Sequence, residues 1–362
     1  MLAIAEPRKA VIRTSDRQLF KRCRRKWNWH SGLRQNLRIV DTPSYFWIGT
    51  GGHFALEDYH GYNHFGHPIE AFRAYVRACQ VAARSGGLPL PQDYKEQVEL
   101  GEGILEYYLM WCQGRETHET VWIDGKPMVE VRCEIPLPVK PPPGYDQVVY
   151  QLTLDKLVTI EDEYWITDYK FYKQFSSADL AYDKQLSAYI WAGNAMFDKP
   201  VVGGILHEFK KQVPERPRIL RTNGKISTAA NQNTTHRLYR EALINMYGAV
   251  DKAPSANVRC LNELLGQESE ERDGYIKRSR TRRTLHQQQA EGTKILMEVG
   301  DMCNPDLPIY TNETRDCSWD CGLREICLML DRGDDWEWLL NELTIKDTEE
   351  YDQWRTHLQQ VA

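Results

Sequence analysis

The chain has 362 residues, a net charge of −5 and 41% apolar side chains. This length and composition predict a globular protein with a full core, built as one elaborated domain or two modest ones. They argue against a protein that coats nucleic acid by charge alone. No stretch reaches the roughly 20 apolar residues of a membrane-spanning helix, and the N-terminus lacks a long apolar core. We therefore expect a cytoplasmic protein with no membrane partner.

The charge is unevenly distributed along the chain. Five of the six residues 21–26 are basic, as are five of the seven residues 277–283, whereas residues 331–352 hold nine acidic and two basic side chains. Each basic run is either a solvated face or a rim that contacts phosphates, in which case binding would weaken steeply with salt. The acidic tail, with its tryptophans, is either a partner-binding helix or a cover on the protein body.

The first third of the chain predicts helices. Ser15 or Asp16 can cap a first helix that runs toward Trp29 and presents Cys23 inward on an apolar face. Glycines at 49–52 predict a tight turn into a second helix, and further helices are expected at about 68–84 and 94–113. We assign residues 1–127 to an N-terminal helical region.

The middle of the chain changes to a strand pattern. Residues 128–139, 148–160 and 163–171 alternate as strands, a helix follows over 178–197, and a fourth strand over 201–210. These elements predict an α/β fold with a mixed sheet flanked by helices, whose core spans 128–210. We interpret 211–308 as a helical insertion, with helices near 231–253 and 284–300, and 309–362 as a C-terminal cysteine cluster followed by the acidic tail.

Two aspartates and a lysine are the candidate catalytic residues. Alternation places Asp168 and Lys170 on the same face of one strand, and Asp155 on the preceding strand can reach the same point. Two carboxylates and a cation are what metal-assisted phosphodiester cleavage requires, with Mg²⁺ or Mn²⁺ held by oxygen. Glu130 and Glu134 are possible accessory carboxylates on the strand before.

Three further residues accompany this group. Gln185 and Tyr189 lie four apart on one helical face and could meet a nucleic-acid backbone, although Tyr189 could equally pack in the core. His53 follows the glycine turn and could supply a nitrogen ligand to the same metal. A second site at His60, His64 and His67 is the weaker alternative, because that spacing crosses glycines.

The cysteines predict a second metal site. Cys317, Cys321 and Cys327 fall within eleven residues, a density that indicates a metal in a reducing compartment. Cys23 is the candidate fourth ligand, and a metal there would join the two ends of the chain like a clasp. Zinc and an iron–sulfur cluster both suit four thiolates. The other five cysteines are expected to be buried thiols.

In their order along the chain, these motifs resemble the PD-(D/E)XK nuclease superfamily. They are Gly-Gly-His53-x-x-x-Glu, Asp155, Asp168-Tyr-Lys170 and Gln185-Leu-Ser-Ala-Tyr189, between Cys23 and a terminal three-cysteine cluster. Within the superfamily they look like the branch of RecB- and AddB-type nuclease domains and CRISPR-adaptation exonucleases. The Cys-Ser-Trp-Asp-Cys form also looks like RecB-like nucleases encoded by bacteriophages, which would place the protein in the host cytoplasm.

The resemblance implies a restriction-endonuclease-like fold and a role for each residue. His53, Asp155, Asp168 and the backbone carbonyl of Tyr169 would bind the divalent metal, and Lys170 would position the attacking water. Gln185 and Tyr189 would support the site or the substrate strand. The four cysteines would hold a 4Fe-4S cluster, with zinc as the alternative.

Two positions depart from the family pattern. Leu152 stands three residues before the first aspartate, where the family commonly has glycine, so the local backbone may differ. The gap between Cys317 and Cys321 holds three residues instead of two.

Two functions from different classes follow from the sequence. The first is a metal-dependent DNA nuclease, acting as an exonuclease on ends or single strands in recombination, repair or replication. The second is a DNA-end-binding adaptor whose partner is a helicase or a recombination protein. The intact set of Asp155, Asp168 and Lys170 favours the first. RNA remains an alternative substrate, because the chemistry at phosphorus is the same.

Overall fold

A computed structural model describes residues 6–39, 45–62, 64–85, 90, 92–113, 115, 118–229, 231–347, 354–355 and 357–358. The strands of this part of the chain are β1 Lys9–Arg13, β2 Leu37–Ile39, β3 Trp122–Ile123, β4 Lys126–Pro127, β5 Val129–Leu137, β6 Gln147–Ile160, β7 Glu163–Tyr172, β8 Val201–Lys210, β9 Ile276–Arg282 and β10 Thr344–Lys346. The helices are α1 Thr14–Arg22, α2 Arg24–His30, α3 Tyr45–Glu57, α4 Pro68–Arg84, α5 Tyr94–Cys112, α6 Lys184–Met196, α7 His236–Tyr247, α8 Ser255–Leu265, α9 Leu285–Cys303, α10 Arg324–Arg332 and α11 Glu337–Leu343.

The central sheet is mixed, in the order β1-β6-β7-β8-β9, with β5 on the other edge of β6. β1 runs parallel to β6, and β7 parallel to β8, while β5, β7 and β9 lie antiparallel to their partners. Helices pack around it, so the predicted α/β fold with a mixed sheet flanked by helices is confirmed. The arrangement is consistent with a restriction-endonuclease-like fold.

The 14-residue strand β6 organises this sheet. β5 pairs with one edge of β6 over residues 148–156. The other edge is shared by two strands, because β1 pairs with residues 147–151 and β7 pairs with residues 156–160. Between these two partners the sheet opens into a fork at residues 152–155.

Two apolar cores hold the helices against the sheet. One core joins α6 and α9 to β6 through side chains such as Leu154, Ile190 and Ile295. The other joins α3, α4 and α5 to β7 and β8 through Phe72, Trp111 and Phe209. Burying a large apolar side chain contributes about 1.5–3 kcal/mol, so these cores fix the helices that face the fork.

The N-terminal helix is divided where the sequence predicts one continuous helix. Cys23 has an extended backbone, with φ −161° and ψ 115°, and separates α1 from α2. Trp27 is fully buried, as the apolar face predicts. The pattern of apolar residues therefore identified the buried side but not the break at the cysteine.

The glycines at 49–52 do not form a turn before the second helix, because α3 begins at Tyr45 and runs through them. A Cβ atom on Gly51 would lie 2.6 Å from Phe72 Cε2, and one on Gly52 would lie 2.3 Å from Phe171 Cζ. The glycines therefore allow close packing of α3 on its neighbours, and this packing sets the position of His53.

The sheet takes strands from outside residues 128–210. β1 belongs to the predicted N-terminal region, and β9 lies within the predicted helical insertion beside α7, α8 and α9. The insertion also has a small core of its own between α7 and α8, around Tyr239 and Leu261. Parts of the acidic tail, residues 348–353, 356 and 359–362, lie outside the described residues. No helix in the described ranges is both long and apolar enough to cross a bilayer.

Candidate active site at the fork of the sheet

The fork brings the predicted carboxylates together. Asp155 is the last residue of β6 before pairing with β7 begins, and Asp168 follows Thr167, the last residue of β7 that pairs with β6. The backbone N–H of Tyr169 donates to Asp155 Oδ2 at 2.7 Å, which fixes the Asp155 carboxylate inside the opening. Both aspartates are at least nine-tenths buried.

One set of metal-ligating atoms is already converged. A nitrogen of His53 and one carboxylate oxygen each of Glu130 and Asp155 all lie within 4.8 Å of one another. His53 Nδ1 is 3.5 Å from Asp155 Oδ2 and 3.6 Å from Glu130 Oε1. Nitrogen and hard oxygen donors around one point suit a divalent cation.

Glu130 occupies an unusual backbone conformation. Its φ is +45°, inside the β5 strand and opposite Asp155. A left-handed residue other than glycine costs of order 1 kcal/mol or more and persists only where the surroundings hold it. The strand pairing on both sides of Glu130 supplies that restraint, and Glu130 shares the convergence point with His53 and Asp155.

Asp168 belongs to a neighbouring set of contacts. Its Oδ1 accepts from Lys170 Nζ at 2.8 Å and from Gln185 Nε2 at 3.3 Å. Gln185 Nε2 also lies 2.6 Å from the Tyr189 hydroxyl. Gln185 and Tyr189, four residues apart on α6, are thus joined by a hydrogen bond. Tyr189 is buried, and Gln185 is the hydrogen-bond partner of its hydroxyl group.

The electrostatics of the fork favour an added cation. Burial raises the pKa of Asp168 to about 6 and also raises the pKa of Asp155. Burial disfavours the imidazolium of His53, but the carboxylates of Asp155 and Glu130 outweigh it and raise the pKa of His53 to about 9. Burial and mutual repulsion disfavour the ionised form of neighbouring carboxylates, and a bound metal ion would stabilise that form.

Glu57 extends this acidic group. Burial, and next the charge of Glu130, raise the pKa of Glu57 to about 7. Its Oε2 atom is buried and has no hydrogen-bond partner among the described residues. Glu57 is the glutamate of the Gly-Gly-His-x-x-x-Glu motif and follows His53 by four residues on α3. It therefore faces the same region as His53.

The four predicted cluster cysteines line one cavity. Cys23, Cys317, Cys321 and Cys327 surround a space of 110 Å³ at the junction of α2 and the C-terminal segment. Arg25 Nη1 donates to Cys327 Sγ at 3.4 Å, and the backbone N–H of Thr314 donates to Cys317 Sγ at 3.5 Å. Donors directed at sulfur are what thiolate ligands need around a metal.

The two chain ends are also joined without any metal. Trp29 from α2 packs with Leu323, Ile326 and Leu340 in a separate core. β2 and β10 pair antiparallel, with Leu37 opposite Lys346. The N-terminal and C-terminal segments thus meet through apolar packing and strand pairing on both sides of the cysteine cavity.

The two basic runs are engaged inside the protein. In the first run, Lys21, Arg22 and Arg25 form ion pairs with Glu298, Asp320 and Asp331. In the second run, the partners are Glu208 for Lys277, Glu271 for Arg278 and Arg280, Glu163 for Arg282, and Ser187 for Arg283. These contacts reduce the charge that the two runs offer to phosphates, although Lys21 and Arg282 remain exposed at the surface.

The alternative histidine site does not assemble among the described residues. His60 is buried, with Nε2 2.8 Å from the Tyr108 hydroxyl and Nδ1 3.1 Å from Lys156 Nζ. His67 accepts from the backbone of Ile69 and caps α4. Burial lowers the pKa of His60 well below its usual range and lowers that of Lys156 to about 7.

A sheet that opens into a fork with buried carboxylates, a lysine and a histidine is the arrangement of a metal-dependent nuclease. A family model described as the PD-(D/E)XK nuclease superfamily matches residues 14–328. The chain therefore belongs to the PD-(D/E)XK nuclease superfamily. No curated protein matches the chain significantly.

The sequence interpretation assigned too small a role to Glu130. It treated Glu130 and Glu134 as equivalent, but Glu134 is turned away to Lys9, with Nζ 2.9 Å from Oε2, and to Gln151. Only the position of Glu130 opposite Asp155 distinguishes the two glutamates, and no local sequence signal marks its left-handed backbone.

Proposed function

We propose that this protein is a metal-dependent deoxyribonuclease that acts as an exonuclease on DNA ends or single strands. The observation that carries this proposal is the convergence of His53, Glu130 and Asp155 on one point, beside the pair of Asp168 and Lys170, in a chain that belongs to a nuclease superfamily. None of the groups needed for hydrolysis is replaced by an inert side chain.

The proposed metal ligands are His53, Asp155, Asp168 and the backbone carbonyl of Tyr169, and Glu130 is added because its carboxylate shares the convergence point. The donor set fits Mg²⁺ or Mn²⁺, which prefer oxygen with a limited number of nitrogen ligands. When bound, such an ion would polarise the phosphodiester and acidify a water molecule.

Lys170 is the proposed group that orients the attacking water. Its ammonium group lies 2.8 Å from Asp168 Oδ1, and the two neighbouring aspartates raise its pKa despite burial. It therefore stays protonated and offers donors to a water and to the developing charge on phosphate. Gln185, held by Tyr189, fixes the second side of Asp168 and keeps the carboxylate oriented.

A 4Fe-4S cluster is the proposed occupant of the cysteine cavity, with zinc as the alternative. Cys23, Cys317, Cys321 and Cys327 line one cavity, and four thiolates suit either group. The preference for the cluster rests on the resemblance to nucleases that carry a cysteine clasp.

The finer classification rests on the same features. A cysteine clasp that joins Cys23 to Cys317, Cys321 and Cys327 resembles AddB-type and CRISPR-adaptation nucleases, and the spacing of the cluster resembles bacteriophage members. We propose a role in recombination, repair or replication, with a helicase or recombination protein as partner. In this organisation, 128–210 is the nuclease core, 211–308 is an insertion beside it, and the terminal regions form the clasp.

The test is nuclease activity on end-labelled DNA. Anaerobically purified protein is incubated with single-stranded, duplex and RNA substrates of one sequence in Mg²⁺ or Mn²⁺. We expect cation-dependent degradation that falls by about 10³-fold or more in Asp168→Asn. Asp162→Asn, in the turn between β6 and β7, is the matched control, because it makes the same chemical change outside the fork and should keep full activity.

Each alternative gives a different result. Tight binding without cleavage by the wild type would contradict the nuclease and support the DNA-end-binding adaptor. Faster degradation of RNA would change the substrate, and internal cleavage products would contradict the exonuclease.

A further inference from the structure

The open edge of β6 adjoins the proposed catalytic centre. Among the residues that the structure describes, 152–155 have no strand partner on the side that β1 and β7 occupy elsewhere along β6. Four residues of a strand extend over about 13 Å. The gap therefore leaves a short unpaired edge of β6 beside Asp155.

A groove of 280 Å³ fills this gap. Its walls are Gln185 and Tyr189 from α6, Thr153 from β6, and the beginning of α1. Gln185 lines the groove and also contacts Asp168 at 3.3 Å, so the groove and the proposed catalytic carboxylates lie on either side of one side chain. A molecule in the groove would therefore lie next to the fork.

The chemistry of the groove suits a sugar-phosphate backbone. Arg13 at the end of β1 and Ser15 and Gln18 in α1 are exposed, and the side chains of Ser15 and Gln18 make no hydrogen bond within the described part of the chain. Arg13 Nε donates a long hydrogen bond of 3.4 Å to Gln151 Oε1, and its charge is near that of Asp16. Arginine, hydroxyl and amide groups are those that contact phosphate oxygens without reading base sequence.

The groove continues away from the fork. Past the pair formed by Arg13 and Gln151 it opens into a wider basin of 640 Å³, which Lys9 and Arg132 also line. Arg13 and Gln151 line both spaces. A chain that enters the groove can therefore extend beyond one nucleotide.

We propose that this groove binds the single nucleic-acid strand that adjoins the scissile phosphate, with Arg13, Ser15 and Gln18 as its phosphate contacts. The inference rests on the proposed nuclease function and names the form of its substrate. The groove lies between the beginning of α1 and α6 and has a volume of 280 Å³, so it accommodates one strand and not a duplex. We therefore expect a duplex to present a single-stranded end before its phosphate reaches Asp155.

The test measures binding in the Asp168→Asn background, so that the substrate stays intact. A fluorescent single-stranded oligonucleotide is titrated against the protein and against forms that also carry Arg13→Ala or Gln18→Ala. We expect Arg13→Ala to weaken binding about tenfold and to reduce the slope of log Kd against log salt by about one. Gln18→Ala is expected to weaken binding about threefold.

Arg8→Ala is the matched control, because Arg8 is an exposed arginine that pairs with Asp146 and does not line the groove. It should bind within twofold of the parent. A blunt duplex of the same sequence should bind more weakly than the single strand and should respond less to Arg13→Ala.

The result that overturns the proposal is equal binding by the Arg13→Ala and Arg8→Ala proteins, with unchanged folding by circular dichroism. Equal affinity for the blunt duplex, equally sensitive to Arg13→Ala, also overturns it. Cation-dependent degradation of the same oligonucleotide by the wild type separates these failures from failure of the proposed function. Degradation without groove effects contradicts only the strand path, whereas no degradation in Mg²⁺ or Mn²⁺ contradicts the nuclease itself.

Discussion

The fork and the cysteine clasp both collect residues from distant parts of the chain, but they are held in different ways. At the fork, strand pairing and hydrogen bonds place His53, Glu130 and Asp155 within 4.8 Å before any ion binds. At the clasp, the four cysteines line a cavity, and apolar packing and one strand pair hold the segments around it. The comparison indicates that the sheet itself converges the candidate ligands at the fork, whereas at the clasp apolar packing and strand pairing bring the segments together around a cavity.

Removal of one cluster thiolate is the largest expected change in stability. Cys23→Ser should lose the visible absorbance of an iron–sulfur cluster and lower the free energy of unfolding by about 3 kcal/mol or more, because metal binding contributes directly to folding. Absorbance spectra and chemical denaturation of anaerobic protein measure both effects.

Cys260→Ser is the control for this change, because Cys260 is buried between α7 and α8, away from the cavity. It should keep the absorbance. Zinc in place of iron in the wild type, by metal analysis, would contradict the cluster assignment but not the clasp. Unchanged stability in Cys23→Ser would show that packing and strand pairing alone close the junction.

The buried lysine Lys156, next to Asp155 on β6, gives a test based on the pH dependence of stability. Burial lowers the pKa of Lys156 from 10.5 to about 7, so the unfolded chain holds the extra proton between pH 7 and pH 9. Stability of the wild type should therefore rise by about 2 kcal/mol over that interval through Lys156. Lys156→Met removes this rise, and the difference between the two denaturation series measures it.

Other groups titrate in both proteins, so only the difference between wild type and Lys156→Met is informative. Lys211→Met supplies a comparison at a lysine that is only partly buried, and its difference should be smaller. Parallel pH profiles for the wild type and Lys156→Met would contradict a neutral buried lysine behind the fork.

The smallest effect is expected at Glu130. Glu130→Gln removes one charged oxygen from the convergence point but leaves His53 and Asp155, so metal affinity should fall about tenfold, or about 1.4 kcal/mol. The measurement is the Mg²⁺ concentration at half-maximal activity, which should rise while activity at saturating Mg²⁺ falls less. Glu134→Gln is the matched control, because Glu134 contacts Lys9 instead of the fork. An identical Mg²⁺ dependence for both variants would remove Glu130 from the metal site.

The sequence predicted the part of the site that depends on local alternation. Asp168 and Lys170 are two apart on one strand, and Gln185 and Tyr189 are four apart on one helix, so their relative placement follows from strand and helix geometry. The paired strands β6 and β7 were recognised for the same reason.

Elements that depend on distant partners were not predictable. β9 carries four of the five basic residues of the run 277–283 and shows no apolar alternation. Its charges have partners such as Glu208 and Glu271 elsewhere in the fold. β1 is a five-residue strand that exists through its pairing with β6. The left-handed backbone of Glu130 likewise arises from tertiary restraint.

The length of β6 between its two partners has a consequence for variation in this protein. β1 and β7 take their register from the same strand, on either side of residues 152–155. Inserting or deleting a single residue there would turn Asp155 to the opposite face and shift one half of the sheet against the other. Leu152 and Leu154 in this interval are buried in the core, and Asp155 faces the fork, so the number of residues between the two partners fixes both the core packing and the position of the carboxylate.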